Sequence, residues 1–394
     1  MASTIREAFQ SFFLIYFILG ISIYPVKHSK PRIRWIVYLN ILYSLIIVCI
    51  YMYISYFAIT WGKQMGITFS ILHGIVITTN VLGTIIYTIL NFYYQEKLMM
   101  CIVKLDAVDD TLEKLGSPKM YHKMCTWSKR IISGGLMYLF IITAYDTYWW
   151  LNYIQNIFLA LIISFVLNHI THINIIVDLS FSFFLYVGNR FDKVNEHIQC
   201  LLVKKKAGIK CTWNKSAIVH QSTNNYKRVL WASMHLHLEL RRIARDLNSI
   251  FEIQMVLKTA SYFIYLTVFS YQLFLMIIQD YKKKTTLYTW LVICSWIFPL
   301  TINLYVINYI YDNVEYKAKK TCTIIHQLTT PIRYADMWKE IYQFALQEMH
   351  RPLKFTGLDL FQFGHKFIWK FCITITTYVM IMVQFKVPVD VIQG

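Results

Sequence analysis

The sequence has few charged residues for its length. Only 15% of its 394 residues are Asp, Glu, Lys or Arg, whereas 57% are hydrophobic. Soluble domains carry about 25% charged and about 45–50% apolar residues, so this chain has too little polar surface for a soluble fold. Several apolar stretches also exceed the roughly 20 residues that a helix needs to cross the hydrocarbon core of a bilayer. The composition therefore predicts a membrane protein.

The short motifs that mark catalytic and metal sites are also missing. The sequence has no Gly-rich phosphate loop, no nucleophile elbow and no Cys-x-x-Cys pair of the kind that binds zinc. His169 and His172 stand three residues apart, as two metal ligands on a helix do, but no carboxylate lies at a suitable spacing to complete the set. The sequence therefore predicts neither an enzyme nor a metal site, and no cofactor.

Seven apolar stretches predict an all-α membrane protein with seven transmembrane helices. The fourth stretch corresponds to roughly 46 Å of helix, so its end must tilt or project from the membrane. The polar run 168–172 leaves open whether this helix starts at residue 157 or after a loop. Pro299 predicts a kink in the sixth helix. The predicted spans are 35–59, 67–92, 131–151, 157–187, 253–278, 287–310 and 367–389.

The basic residues lie almost entirely on one side of these spans. Of the 39 Lys and Arg residues, 33 precede the first span or lie in 93–130, 190–252 and 311–370, and five lie on the other side. Positive loops stay in the cytoplasm, so the amino terminus is predicted inside and the carboxyl terminus outside. This topology accounts for the net charge of +18 without nucleic-acid binding. It also disfavours an ordinary G-protein-coupled receptor, which begins outside.

The spans and basic segments divide the chain into four parts. Residues 1–34 are predicted to be a cytoplasmic segment with a short, buried or interfacial apolar helix, and 35–310 to hold six spans, the ligand pocket and cytoplasmic loops. Residues 311–366 are predicted to form cytoplasmic anchor helices, and 367–394 the last span and a short extracellular tail. Long helices extend into this anchor. Two cytoplasmic helices are predicted from apolar stripes: Leu236, Leu240, Ile243 and Leu247 in 226–252, and Trp338, Ile341, Tyr342, Ala345 and Met349 in 337–350.

Polar residues share one face of the last span. Thr374, Thr377, Ile381 and Gln384 follow one another at spacings of three, four and three residues. Polar side chains on an apolar membrane helix need partners or water. The pattern fits either the wall of a pore or a helix interface in which threonines bond neighbouring backbones.

The same span also carries a recognisable motif. Thr377-Tyr378, five apolar residues and Gln384-Phe385 resemble the signature near the end of insect gustatory receptors. Stretches 188–195, 246–252 and 354–358 are similar to other parts of that family. The resemblance covers the whole chain and is densest after residue 311.

This resemblance implies a tastant-gated, non-selective cation channel in the plasma membrane. It implies a homotetramer, or a heterotetramer with other gustatory receptors, in which each subunit contributes its last span to a central pore. The implied pore and gate residues are Thr374, Thr377, Tyr378, Ile381, Gln384 and Phe385. Lys366 and Lys370 extend the pore face, and four copies of each would repel cations on the pore axis. Either the ions therefore leave sideways between subunits, or these lysines turn towards lipid phosphates.

An odorant-receptor-type subunit and a membrane transporter are the alternative functions. The signature argues against the first, and the lack of repeated halves argues against the second.

The predicted ligand site lies in the outward halves of the middle spans. A small polar ligand requires a cavity with aromatic walls and a few polar groups, and this region holds both. The candidate binding residues are Asp146, His169, His172 and Gln272. Aromatic residues such as Tyr148 are equally ordinary at a membrane interface.

Asp178 and Lys258 are ionisable groups at membrane depth, and each needs a partner or access to the interface. The sequence does not identify the tastant.

Overall fold

The computed structural model shows a nearly all-helical chain. It describes residues 4–18, 33–62, 67–151, 154, 156–168, 179–203, 223–280, 287–328 and 338–391. The helices are α1 (Ile5–Ala8), α2 (Gln10–Ile18), α3 (Ile33–Gly62), α4 (Ile67–Lys114), α5 (Tyr121–Leu151), α6 (Ile157–Asn168), α7 (Leu179–Val203), α8 (Thr223–Asp280), α9 (Leu287–Leu328), α10 (Trp338–His350) and α11 (His365–Val391). A short antiparallel hairpin, β1 (Thr356–Gly357) and β2 (Phe361–Gln362), joins α10 to α11.

The helices agree with the predicted spans. Within the described residues, six helices are long and apolar enough to cross a membrane, namely α3, α4, α5, α8, α9 and α11. The fourth predicted span, 157–187, corresponds to α6 and the start of α7. The polar run that made its start uncertain lies mostly outside the described residues, as does Asp178.

Several helices run far beyond the predicted ends of their spans. The amphipathic stretch 226–252 is not a separate helix, because it forms the first part of α8 and continues into the fifth span. Residues 223–280 contain neither Pro nor Gly, so nothing in the sequence interrupts the helix. α4 and α9 likewise continue to Lys114 and Leu328. α4 ends where Gly116 takes a left-handed conformation with φ of 96°.

The largest apolar core lies at one end of the bundle. There α1, α2, α10 and the hairpin pack against parts of α4, α5, α7, α8 and α9. This assembly is called the anchor bundle below. The amino-terminal run contributes Phe9, Phe12 and Phe13, and the backbone N–H of Ile5 donates to the carboxylate of Asp106 on α4 (3.0 Å). The predicted stripe on α8 also points into this core, since Leu236, Leu240, Ile243 and Leu247 are all buried.

The predicted stripe on α10 is partly wrong. Ile341 and Ala345 are buried, but Trp338, Tyr342 and Met349 are exposed. The buried face instead includes Phe344 and the charged residue Glu348. Glu348 contacts the guanidinium of Arg241 and the ring of His237 on α8, and this contact fixes the rotation of α10. A hydrophobic pattern alone could not show that a carboxylate faces inward.

Candidate functional site

α11 packs against the rest of the chain with one face only. Phe371 and Ile375 belong to a buried cluster with Tyr262 and Tyr265 of α8 and Leu300 of α9. Only 6% of the most apolar stretch of α11 is buried within the chain, compared with 22–44% in the other five membrane-length helices. Most of the surface of this apolar helix therefore contacts its surroundings rather than its own chain.

The predicted pore residues lie on the exposed side of α11. Thr374, Thr377, Ile381 and Gln384 are all exposed. At 3.6 residues per turn, the centre of this face lies about 120° around the helix from Phe371 and Ile375. The structure therefore keeps this polar face together and leaves it uncovered by the chain itself.

The threonine hydroxyl groups on α11 are bonded within the helix. Thr374 donates to the carbonyl oxygen of Lys370 (2.8 Å), and Thr377 donates to that of Ile373 (3.0 Å). Thr376 makes the same type of bond to Cys372 (3.0 Å). These bonds satisfy the hydroxyl hydrogens without a neighbouring helix, while each hydroxyl oxygen can still accept a hydrogen bond from water.

The remaining predicted pore residues occupy different positions. The Tyr378 ring lies against Phe263 of α8, with 5.4 Å between ring centroids, at the edge between the packed and exposed faces. The side chain of Phe385 lies outside the described residues. Lys366 and Lys370 are exposed, and their helical positions extend the face of Thr374 and Thr377 towards the anchor bundle.

The four predicted ligand residues are described only in part. Asp146 is buried on α5, and Gln272 is half-buried on α8. His169 and His172 lie outside the described residues. The ring of Trp150 on α5 is also buried, and its indole meets that of Trp149 edge to face with 5.3 Å between ring centroids.

A column of polar side chains on α8 was missed by the sequence reasoning. Gln254 Nε2 donates to Asn91 Oδ1 on α4 (2.7 Å), and the Tyr265 hydroxyl donates to Asn80 Oδ1 on the same helix (2.6 Å). Between these two positions, the ammonium of Lys258 lies 5.8 Å from the ring centroid of Tyr262. The Tyr262 hydroxyl also accepts from Asn303 Nδ2 on α9 (3.0 Å). The column joins α4, α8 and α9. The spacing of four, four and three residues between its members on α8 could have predicted it from the sequence.

A large apolar groove lies between α3 and α6. Its volume is about 780 Å³. It contains none of the predicted ligand residues. The lining residues are Leu42, Leu45, Ile46, Cys49, Ile50, Tyr53, Ile54, Phe57, Leu159, Ile162 and Ile163. Because the lining is almost wholly apolar, the groove suits hydrocarbon rather than a polar tastant.

Charged groups in the anchor bundle are paired inside the chain. Arg190 Nε lies 2.7 Å from the carboxylate of Asp109, and both side chains are buried. Tyr186 donates its hydroxyl to the same carboxylate. His197 is also buried, and its Nε2 lies 2.7 Å from the Ser117 hydroxyl. Burial, with a smaller contribution from the Lys193 charge, lowers the pKa of His197 to about 3, so this ring is neutral at physiological pH.

Comparison with known proteins gives a consistent picture. Residues 9–387 match the 7tm chemosensory receptor family. The chain is 22% identical over 330 residues to “Putative gustatory receptor 28b” of Drosophila melanogaster, covering 78% of this chain and 68% of that protein. This relative confirms the resemblance to gustatory receptors.

Solved structures show the same architecture. The insect olfactory receptor OR5 from Machilis hrabei superposes with a TM-score of 0.59 at 13% identity, covering 97% of this chain and 98% of the other. The structure of OR5 in complex with eugenol gives a TM-score of 0.55 at 12% identity, covering 97% and 99%. The family match spans nearly the whole sequence, and six described helices have membrane-spanning length. The chain is therefore a multi-pass membrane protein that belongs to the 7tm chemosensory receptor family.

Proposed function

We propose that this protein is a gustatory receptor of the plasma membrane and acts as a cation channel opened by a small tastant. In this proposal four subunits surround a central pore, and each contributes α11. The observation that carries the proposal is the exposure of α11, which buries only 6% of its most apolar stretch within its own chain. Such a helix needs other copies or lipid around it.

The chemistry of the exposed face favours a water-filled pore over lipid. Gln384 presents an amide, which has two donors and an acceptor, on the face shared by Thr374 and Thr377. An amide in hydrocarbon without hydrogen-bond partners costs several kcal/mol. Water in a central pore supplies those partners. Thr374, Thr377, Ile381 and Gln384 then line the pore, and Phe385 narrows its outer end.

The other parts of the proposal follow from the distribution of charge and polar groups. The anchor bundle collects the basic segments, so it faces the cytoplasm, and the carboxyl terminus is outside. Asp146, His169, His172 and Gln272 contribute to an outward-facing tastant site. The partners are the tastant, permeant cations, membrane lipid and further subunits, which are either copies of this chain or other gustatory receptors. The structure of OR5 in complex with eugenol supports a small molecule as the ligand.

Whole-cell current in cells that express only this chain tests the proposal. We expect a fast cation current in response to a member of a panel of sugars, bitter compounds and volatile aromatics, without added G-protein components. Thr377→Val should alter the current, because it removes a hydroxyl from the proposed pore wall. A response that requires intact G-protein signalling would contradict the channel.

The chain provides a matched control for this experiment. Thr376 neighbours Thr377, is also exposed and makes the same intrahelical hydroxyl bond. It lies about 100° around the helix from Thr377, away from the proposed pore wall. Thr376→Val should therefore leave conduction unchanged. Equal effects of the two substitutions would mean that this face of α11 does not line the ion path.

A further inference from the structure

A row of three polar side chains on α9 holds the segment that leads into α11. Asn308, Asp312 and Glu315 are spaced four and three residues apart, so they share one face of α9. This face follows Pro299, the proline inside α9. All three side chains accept hydrogen bonds from the stretch 355–365, which contains the hairpin and the first residue of α11.

Two of these side chains bind the backbone at the start of α11. Asn308 Oδ1 accepts from the Gly364 N–H (2.8 Å), and Asp312 Oδ2 accepts from the His365 N–H (2.8 Å). The amide of Asn308 is held in place because its Nδ2 donates to the carbonyl oxygen of Leu304 (2.8 Å). The first N–H groups of a helix have no partner within that helix, and here α9 supplies partners for them. A negative carboxylate at this end also complements the helix dipole.

Glu315 binds both sides of the hairpin with its two carboxylate oxygens. Oε1 accepts from the Phe355 N–H (2.6 Å), and Oε2 accepts from Gln362 Nε2 (3.0 Å). Phe355 and Phe363 also pack on Tyr311, which lies on the same face of α9, with ring centroids 4.9 and 5.0 Å apart. Polar and apolar contacts therefore bind the hairpin to the same helix.

The backbone geometry at Gly364 shows how closely this segment approaches α9. Gly364 has φ of +132°, a conformation that favours glycine. A Cβ atom at this position would lie 2.5 Å from Asp312 Oδ1. The contact between Asp312 and the first turn of α11 thus depends on the missing side chain.

We infer that the part of α9 after Pro299 and the first turn of α11 form one rigid body, held by Asn308, Asp312 and Glu315. These three residues are called the clamp. The inference rests on the proposed function, in which α11 lines the pore. Under that function, a movement started by ligand reaches the base of the pore helix through α9 rather than along the chain from α10. The clamp residues are positioning residues, because they act through the backbone of α11 and do not face the ion path.

Hydrogen exchange on the purified full-length protein tests the clamp without any current. Asp312→Ala and Asn308→Ala should speed exchange in peptides that cover 353–368 by about tenfold, with 236–247 in the anchor bundle unchanged. Asp312→Asn keeps an oxygen that can accept from the His365 N–H, so it should exchange like the wild type. Glu340→Ala, which removes an exposed carboxylate on α10, is the control. Unchanged exchange in Asp312→Ala and Asn308→Ala would overturn the clamp.

Current measurements then test whether the clamp stays closed while the channel opens. Asp312→Ala should raise the tastant concentration for half-maximal current several-fold, and Asp312→Asn should restore it. Cysteines that replace Glu315 and Gln362, joined by a short bifunctional thiol reagent, should leave opening intact, with each single replacement as control for native thiols. Loss of opening on crosslinking would show that the clamp separates during gating and would overturn the rigid body. If the wild type carries no current, the channel proposal fails, and the exchange experiment still decides the clamp.

Discussion

The anchor bundle and α11 are stabilised in different ways. In the anchor bundle the buried charges find partners within the chain, as Asp109 does with Arg190 and Glu348 with Arg241. Its apolar residues come from α1, α2, α4, α5, α7, α8, α9, α10 and the hairpin. α11 instead has one packed face and leaves the polar face of Thr377 and Gln384 exposed. The described part of the anchor bundle builds its core from a single chain, whereas α11 leaves most of its surface to its surroundings.

The largest expected effect comes from breaking a buried pair in the anchor bundle. Asp109→Ala should destabilise the protein by about 3–5 kcal/mol, because it leaves the Arg190 charge buried without its carboxylate. Replacing both residues, with Asp109→Leu and Arg190→Met, should recover most of this loss. Thermal unfolding of the purified protein in detergent measures both variants.

An exposed ion pair nearby provides the control for this experiment. Lys193 Nζ lies 2.6 Å from Glu196 Oε2, at the surface of α7. Glu196→Ala should change stability by less than about 1 kcal/mol, because water screens such pairs. If Asp109→Ala proved as mild as Glu196→Ala, the paired charges would not be what stabilises the anchor bundle.

Two isoleucines on α11 sharpen the comparison within one helix. Ile375 is 9% exposed and faces α8 and α9, whereas Ile381 is 41% exposed. Ile375→Ala should cost about 2–4 kcal/mol in protein dispersed as single chains in detergent, because it opens a cavity. Ile381→Ala should cost less than about 0.5 kcal/mol there. The same substitution would then have a large effect on the packed face of α11 and a small effect on its exposed face. Equal losses of unfolding free energy in the two variants would contradict this difference between the faces.

The smallest expected effect is a pH dependence confined to the anchor bundle. The pKa of His197 falls from 6.5 to about 3 in the folded protein. An unfolded histidine therefore binds a proton below pH 6.5 while folded His197 stays neutral, so stability is lost as pH falls from 6.5 towards 3. At pH 5 the loss should be about 2 kcal/mol relative to pH 7.5.

His197→Gln removes this pH dependence and retains a polar partner for the Ser117 hydroxyl. Unfolding temperatures at pH 5 and pH 7.5 should therefore differ less in His197→Gln than in the wild type. His122→Gln, at an exposed position on α5, should behave like the wild type. An unchanged pH difference in His197→Gln would show that another group is responsible.

The sequence predicts those features that depend on local pattern. Apolar length located the spans, and apolar spacing placed Leu240 and Leu247 on the buried face of α8. The continuity of α8 was also readable, since the stretch contains no residue that ends a helix. The polar column on α8 was visible in the spacing of Gln254, Lys258 and Tyr262, but its partners on α4 and α9 were not.

The features that escaped prediction depend on partners far apart in the sequence. Glu348 faces inward because Arg241, 107 residues earlier, meets it there, and no periodicity within α10 signals this. The hydrogen bond from the His365 N–H at the start of α11 to Asp312 joins residues 53 positions apart. The residues that face outward on α11 were identified from spacing and resemblance, and their role in conduction stays a prediction.

The unbroken length of α8 has a consequence for how movement travels through the molecule. Its 58 residues make a rod of about 87 Å, with the polar column nearer its carboxyl-terminal end than its amino-terminal end. A continuous helix has no joint to absorb a sideways push at one end, so the push becomes a tilt of the whole rod. With the column as the pivot, the arm towards the anchor bundle is about 55 Å long and the other arm is about 31 Å long. A shift of about one ångström at the end of α8 far from the anchor bundle would then return a shift of about 1.8 Å, in the opposite direction, at the end inside the anchor bundle.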